Sequence, residues 1–211
     1  MTVLLTGYEP FAERETNPSE RLATRLDGTR LGSHDVLGRV LPVEFDRVAA
    51  ELETLIEGTN PDLVLSTGLA AGRSAISVER VAINVADAAG TPDNGGVSPH
   101  DERIDPRGPD ARLASIPVVP CVQSLLEADI PARVSNTAGT HCCNYALYTA
   151  RTATDAPAGF VHLPLTPGMA ARDAGETATG AGSVPPSMDL ETQRRALELL
   201  VKRCLRGTPA P

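Results

Sequence analysis

Two adjacent cysteines, Cys142 and Cys143, lie in residues 134–148, the stretch of this sequence best suited to nucleophilic chemistry. The stretch begins with small, turn-forming residues and continues as a run compatible with a helix, predicted over residues 140–153, so both thiols are expected in its first turn. Unpaired N–H groups at a helix start lower the pKa of a nearby thiol, and the thiolate is the reactive form. Cys143 is therefore the candidate nucleophile.

A nucleophilic thiol needs a base within hydrogen-bond reach and a third group that orients the base. His162, near the carboxyl end of a strand predicted at residues 159–163, could be the base, and Glu79, at a predicted bend in another strand, could orient it. Each has a simpler interpretation. A single histidine in an apolar strand is often a hydrogen-bonded core residue, and Glu79-Arg80 could face solvent at the bend.

The same region raises the question of a metal site. Adjacent side chains on a helix point roughly 100° apart, so His141, Cys142 and Cys143 would converge poorly on one ion. With Cys121 and Cys204, the cysteines are too few and too unevenly spaced for a disulfide framework, and the sequence contains no C-x-x-C pair. We therefore predict no metal centre.

The composition is that of an ordinary globular protein with an acidic surface. The chain has 211 residues, of which 41% are apolar and 3% aromatic, and its formal net charge is −8. We expect one catalytic domain over residues 1–211, with a core of its own. Nucleic acid is not expected as a partner, because phosphate binding needs clustered Lys and Arg. Without a secretory signal or an apolar run of about 18 residues, no membrane association is predicted and the expected location is the cytoplasm.

Buried strands and amphipathic helices alternate in the first part of the chain. Apolar runs predict strands at residues 2–6, 36–43 and 63–67. Gly7 and Gly68 are interpreted as strand ends, and Gly58 as the end of the second helix. The alternation predicts a single-domain, three-layer α/β/α sandwich around a mainly parallel twisted sheet, with ligands at the carboxyl ends of the strands.

The second half is less regular. Residues 74–85 have the pattern of a strand whose apolar side chains change face near Glu79-Arg80, which predicts a bulge or bend there. The segment 86–115, rich in Gly, Asp and Pro, is predicted to be a long loop that serves as a lid or an assembly contact. Later predictions are a helix near residues 120–128, a mobile loop over residues 168–186 and an amphipathic closing helix over residues 190–205.

Several longer motifs in a fixed order carry more information than any single residue. They are Leu4-Leu5-Thr6-Gly7-Tyr8-Glu9-Pro10-Phe11, Asn17-Pro18-Ser19, Val78-Glu79-Arg80-Val81-Ala82-Ile83-Asn84, Pro92-Asp93-Asn94, Ser135-Asn136-Thr137-Ala138-Gly139-Thr140, Cys143-Asn144, Phe160-Val161-His162-Leu163-Pro164 and Pro186-Ser187-Met188. Through them, essentially the whole chain resembles the type I pyroglutamyl peptidases, also called pyrrolidone-carboxylate peptidases.

The resemblance implies a Cys-His-Glu triad, with Cys143 rather than Cys142 as the nucleophile and with His162 and Glu79 as the other members. It implies removal of an N-terminal pyroglutamyl residue from peptides through an acyl-enzyme, without metal or cofactor. It also implies a homo-oligomer, either a tetramer or a dimer.

The resemblance further assigns a pocket for the pyrrolidone ring. Its members in this sequence are Tyr8, Phe11, Asn17, Leu69, His141 and Cys142. Tyr8 and Phe11 match an aromatic ring sandwich, although both could instead cap the sheet, and Asn17 could equally cap a helix.

This chain departs from the family pattern close to the pocket. The family usually has Phe-Val where this chain has His141-Cys142, Gln where it has Leu69, and Arg-Ile where it has Gly90-Thr91. The arginine of that last pair is credited with a place near the oxyanion. In its absence, the backbone N–H of Cys143 is the expected oxyanion donor.

Two other functions stay open on the residues alone. A homologue that keeps the triad but has lost turnover would bind the ring without cleaving its amide. A nucleoside- or phosphate-using transferase could share the architecture. Against the second, the phosphate-binding pattern G-x-x-x-x-G-K-[ST] does not occur in the sequence.

Overall fold

The computed structural model describes residues 1–175 and 183–205 of the chain. The strands are β1 (Thr2–Tyr8), β2 (Arg30–Leu31), β3 (His34–Leu41), β4 (Leu63–Leu69), β5 (Ile76–Glu79), β6 (Val81–Ile83), β7 (Ala111–Leu113), β8 (Ala132–Ser135) and β9 (Ala158–Leu163). The helices are α1 (Pro18–Leu26), α2 (Phe45–Thr59), α3 (Val118–Leu126), α4 (Cys142–Ala153), α5 (Pro167–Ala174) and α6 (Leu190–Leu205). None of these described helices is long and apolar enough to cross a membrane.

Seven strands form one mixed sheet in the order β2-β3-β1-β4-β9-β5-β8. β3, β1, β4 and β9 are parallel to one another, and β5 is parallel to β8. The antiparallel pairs in this sheet are β2 with β3 and β5 with β9. Helices cover both faces, so the predicted α/β/α sandwich around a mainly parallel sheet is confirmed.

Successive residues of the central strands enter two separate cores. In β1, Val3 and Leu5 pack in the core beneath α1, α3 and α6, whereas Leu4 packs in the core beneath α2 and α4. All three side chains are fully buried. Burying each of them stabilises the fold by about 1.5–3 kcal/mol, which explains why these strands are continuous apolar runs rather than alternating ones.

The prediction that Gly7 and Gly68 end their strands is wrong, because β1 continues to Tyr8 and β4 to Leu69. Each glycine instead allows another element to approach closely. A Cβ at Gly7 would lie 2.1 Å from the carbonyl oxygen of Ser19 in α1. A Cβ at Gly68 would lie 2.9 Å from Cys143 Sγ.

Several helix boundaries also differ from the predictions. α2 passes Gly58 and ends at Thr59, where Asn60 takes the left-handed conformation (φ 42°). Part of the predicted loop 168–186 is helical, since α5 begins with Pro167 at its first position and continues through alanines with high helix propensity. The remainder of that loop prediction falls in part on residues 176–182, which lie outside the described residues.

The predicted bend at Glu79-Arg80 is confirmed, and it marks a change of sheet. β5 ends at Glu79, and after Arg80 the chain continues as β6, which pairs with β7 in a separate two-stranded sheet. The apolar side chains change face here because they leave one sheet and join another. The bend leaves Glu79 at the end of a buried strand.

Candidate active site

Cys143 lies in the first turn of α4, where the loop after β8 enters the helix. α4 begins at Cys142, two residues later than the predicted start, with His141 as its N-cap. The Cys143 sulfur lies against the sheet, because a Cβ added to Gly68 would be 2.9 Å from it. Gly68 is the register partner of His162 in the β4–β9 pair. The thiol is therefore held over the strand next to the one that carries the histidine.

Asn144 fixes the start of α4 against β6. Its buried side chain accepts a hydrogen bond from Ile83 N at 2.9 Å and donates to Ile83 O at 2.8 Å and to Val85 O at 2.9 Å. Three backbone groups are thus satisfied by the residue that follows Cys143. These bonds restrict the position of the first turn of α4, and with it the position of the thiol.

His162 and Glu79 form a buried hydrogen-bonded pair. His162 Nδ1 lies 2.7 Å from Glu79 Oε1, with the histidine 5% exposed and the glutamate 0% exposed. In the β5–β9 register, His162 lies opposite Ser77, so Glu79, two residues further along β5, is on the same face of the sheet. A carboxylate only accepts hydrogen bonds, so Nδ1 carries the ring proton and the Nε2 lone pair is left for a second partner.

Arg73 is a part of this group that the sequence did not predict. Its Nη1 donates to Glu79 Oε1 at 2.7 Å, the oxygen that also faces His162. Burial acts to raise the pKa of Glu79, but the hydrogen bond and charge of His162, with smaller contributions from Ser135 and then Arg73, bring it below its ordinary value. In the sequence, Arg73 could be noticed only because it follows a predicted strand. That position does not show which acidic residue it would contact.

The half-buried thiol of Cys143 and the buried imidazole of His162 are both uncharged at neutral pH. Burial, followed by the charge of Glu79, raises the pKa of Cys143 to about 12, while Arg73 and the backbone N–H of Cys143 act in the opposite direction. Burial lowers the pKa of His162, against the hydrogen bond and charge of Glu79. The prediction that the helix start lowers the thiol pKa is therefore wrong for the net shift, because desolvation exceeds the contribution of the helix N–H groups.

A cavity of about 290 Å³ opens beside Cys143. All six residues predicted for the ring pocket line it, namely Tyr8, Phe11, Asn17, Leu69, His141 and Cys142. The other lining residues are Ala12, Arg14, Thr16, Val43, Ala71 and Thr91. The cavity thus offers largely apolar walls with a few polar groups, next to one thiol.

Tyr8 and Asn17 each combine a place in the cavity wall with a structural hydrogen bond. The Tyr8 hydroxyl donates to Cys142 O at 2.7 Å, and burial raises the pKa of Tyr8 well above its ordinary value. Asn17 caps α1, since its Oδ1 accepts from Ser19 N at 3.0 Å. Asn17 therefore both caps α1 and lines the cavity, so the two roles that the sequence allowed are present together.

The segment 86–115 contributes a wall to the cavity. Asp93 accepts a hydrogen bond from Phe45 N at 2.7 Å and so caps α2. Asn94 Nδ2 donates to Glu9 Oε1 at 2.7 Å, which ties the segment to the loop after β1. Thr91 of the same segment lines the cavity directly.

Comparison with known proteins identifies the family. The family model described as "Pyroglutamyl peptidase" matches residues 1–206. The chain belongs to this family. The pyrrolidone-carboxylate peptidase of Pyrococcus furiosus is 40% identical over 210 residues, which cover 97% of this chain and 98% of that protein. The enzyme of the same name from Thermococcus onnurineus is 44% identical over 212 residues, covering 98% and 100%.

A solved structure supports the same assignment. The pyrrolidone carboxyl peptidase of Thermococcus litoralis superposes with a TM-score of 0.90 at 39% identity, covering 97% of this chain and 93% of that one. In the present chain, the N-cap residue His141 makes no side-chain hydrogen bond to the first turn of α4. The backbone N–H groups of this first turn, including that of Cys143, therefore receive no hydrogen bond from the N-cap side chain.

Proposed function

We propose that this protein is a cysteine exopeptidase that removes N-terminal pyroglutamate from peptides. The proposal rests on one arrangement of side chains. The Cys143 sulfur lies against Gly68, which pairs with His162 in the neighbouring strand, and His162 is hydrogen-bonded to Glu79. The cavity lies beside this sulfur. In this arrangement, Cys143 is the nucleophile, His162 the general base and Glu79 the residue that orients the base. The names of the relatives, pyrrolidone-carboxylate peptidases, support the same reaction.

The first half-reaction transfers the pyroglutamyl group to sulfur. His162 Nε2 takes the thiol proton as Cys143 Sγ attacks the carbonyl carbon of the scissile amide. N–H groups in the first turn of α4 stabilise the negative charge that develops on the carbonyl oxygen. The imidazolium, stabilised by Glu79, then protonates the leaving amine, and the C–N bond breaks to release the shortened peptide.

The second half-reaction frees the enzyme. His162 Nε2 takes a proton from water as the water oxygen attacks the thioester carbon. The C–S bond breaks, pyroglutamate leaves as the free acid, and the sulfur recovers a proton from the imidazolium. Residues of this chain carry every proton, and the reaction is a hydrolysis in which no group is oxidised or reduced.

The cavity supports a small, uncharged acyl group as the substrate moiety. A pyrrolidone ring has an apolar edge, one N–H and one C=O, which suits the apolar walls and few polar groups of a cavity of about 290 Å³. Pyroglutamate lacks the charged amino group of an ordinary N-terminus. An ordinary N-terminal residue would therefore bring an unpaired ammonium group into these walls, at a cost in binding.

We also propose that the protein forms a homo-oligomer, a tetramer or a dimer, in the cytoplasm. Leu113, within the segment predicted as an assembly contact, is 65% exposed, as an apolar contact residue would be in the isolated chain. All four cysteines are free thiols, which fits a reducing compartment. A strictly monomeric sedimentation profile at micromolar concentration would contradict the oligomer.

The test of the activity is hydrolysis of a chromogenic pyroglutamyl amide by the wild type and by cysteine variants. We expect Cys143→Ala to abolish hydrolysis and Cys142→Ala to retain most of it, because the two side chains diverge around the helix and Cys142 is only 1% exposed. Cys121→Ala, in α3, is the matched control for removing a remote buried thiol. Equal losses in the Cys142 and Cys143 variants would refute the assignment of the nucleophile. Ring binding without turnover would instead indicate the inactive homologue, which no observation on the described residues favours.

A further inference from the structure

The imidazole of His141 forms part of the cavity wall and packs against two aromatic rings. Its ring centroid lies 5.0 Å from that of Phe11 and 4.6 Å from that of Phe45, both in tilted arrangements. Phe11 belongs to the loop after β1 and Phe45 to the first turn of α2. The imidazole therefore occupies a defined place rather than a range of rotamers.

A single hydrogen bond fixes the tautomer of this ring. His141 Nε2 lies 3.2 Å from the carbonyl oxygen of Thr91. A carbonyl only accepts, so Nε2 must carry the proton. Burial lowers the pKa of His141, with Thr91 and Asp93 acting in the opposite direction, so the ring is neutral near pH 7. A neutral ring protonated at Nε2 has an unprotonated Nδ1, which is a hydrogen-bond acceptor.

Nδ1 has no partner in the part of the chain that the structure describes. It does not cap α4, although His141 is the N-cap residue of that helix. Nδ1 is also not a fully buried atom, so it is accessible. His141 lines the cavity together with Cys142 and Cys143, so a molecule bound beside the thiol would lie next to this imidazole.

We propose that His141 Nδ1 accepts a hydrogen bond from the ring N–H of the bound lactam, so that this residue selects five-membered lactams over rings without an N–H. The inference rests on the proposed function and adds a specificity determinant to it. Of the two polar groups of the ring, the N–H is the one that an acceptor recognises. The apolar walls formed by Tyr8, Phe11 and Leu69 cannot make that distinction.

The experiment compares two substrates on two enzymes. One substrate is a pyroglutamyl amide, and the other is its cyclopentanone analogue, in which a CH₂ group replaces the ring N–H. We expect the wild type to prefer the lactam in kcat/KM, and His141→Phe to reduce that preference by roughly 10-fold, the usual effect of losing one neutral hydrogen bond in a closed site. His141→Gln, which keeps an acceptor oxygen, should retain a larger part of the preference.

The outcomes separate this inference from the proposed function. If the wild type hydrolyses neither substrate, the proposed function fails. If the wild type hydrolyses the lactam and His141→Phe keeps the full preference for it, the role of His141 fails while the peptidase assignment stands.

A measurement on the wild type covers the case in which neither variant folds. Nitrogen NMR of the histidine rings should show the unprotonated Nδ1 signal of His141 move when 2-pyrrolidone binds, and move much less with cyclopentanone. Equal movement with both rings would overturn the proposal.

Discussion

At the scale of single residues, the charge state of Cys143 and His162 decides how the thiol is activated. Many cysteine nucleophiles rest as a thiolate, but here burial opposes ionisation of both groups. His162 must therefore remove the thiol proton during the attack itself. This makes the orientation of His162 as important as its basicity.

The neutral resting thiol gives a prediction for chemical modification. Because the pKa of Cys143 is raised to about 12, the rate of its alkylation by iodoacetamide should rise about tenfold for each pH unit between roughly pH 7 and 9. The measurement is loss of activity with time at each pH, with Cys143→Ala reporting labelling of the other three cysteines by mass. A rate that is already level at pH 7 would show a preformed thiolate instead.

Substitutions of Glu79 and Arg73 should have two different kinetic effects. Glu79→Gln should lower kcat by roughly 10²-fold with KM little changed, because an amide can hold the imidazole in the wrong orientation.

Arg73 lowers the pKa of His162, so in Arg73→Gln that pKa rises and the acidic limb of kcat/KM moves to higher pH. The matched control is Arg80→Gln, since Arg80 pairs with Asn136 on the exposed surface at 2.9 Å. A folded Glu79→Gln variant with near-normal kcat, or an acidic limb that moves equally in both arginine variants, would contradict these roles.

Only some of the contacts around Cys143 and His162 could be predicted from the sequence. A histidine at a strand end and a glutamate where the apolar pattern changes face were visible as candidates, and the two side chains do meet. Arg73 and Thr91 lie in turns, where no periodicity shows which way a side chain or carbonyl points. The direction of the Cys143 pKa shift could not be predicted from the sequence either, because it depends on how completely the surrounding elements exclude water.

At the scale of elements, the junction between α4 and β6 determines where the nucleophile lies. Asn144 makes three hydrogen bonds to the backbone at Ile83 and Val85. Asn144→Ala would leave these backbone groups without partners, and we expect the free energy of unfolding to fall by about 2–4 kcal/mol. Urea denaturation measures the change, with Asn136→Ala as an exposed control. A loss below about 0.5 kcal/mol would mean that the junction is held by packing instead.

Element boundaries were harder to predict than elements. Glycine is commonly read as a stop signal, but at Gly7 and Gly68 its value is the absence of a side chain, which lets Ser19 and Cys143 approach the strand. The distinction depends on a partner distant in sequence. Local pattern therefore predicted the strands and misplaced their ends.

At the scale of the whole molecule, the alternation of strands and helices in the sequence predicted the α/β/α sandwich. It did not predict the order of the strands in the sheet. β9 enters the sheet between β4 and β5, and β5 runs antiparallel to it. This arrangement places Gly68 on one side of His162 and Ser77 on the other. Periodicity within a segment carries no information about which distant segment becomes its neighbour.

The net charge of the molecule predicts a preference among peptide substrates. The pyroglutamyl ring is uncharged, so the rest of the peptide alone responds to the field of a protein with a formal net charge of −8. An acidic surface raises the local concentration of cationic peptides and lowers that of anionic ones, over a distance of about 10 Å at 0.1 M salt and about 3 Å at 1 M. We therefore expect kcat/KM at low ionic strength to be several-fold higher for pyroglutamyl peptides with Lys or Arg after the ring than for those with Asp or Glu. The difference should shrink as salt is added, while an uncharged pyroglutamyl amide serves as the control for direct salt effects. A preference that persists unchanged at 1 M salt would assign the selection to specific contacts near the cavity rather than to the charge of the whole protein.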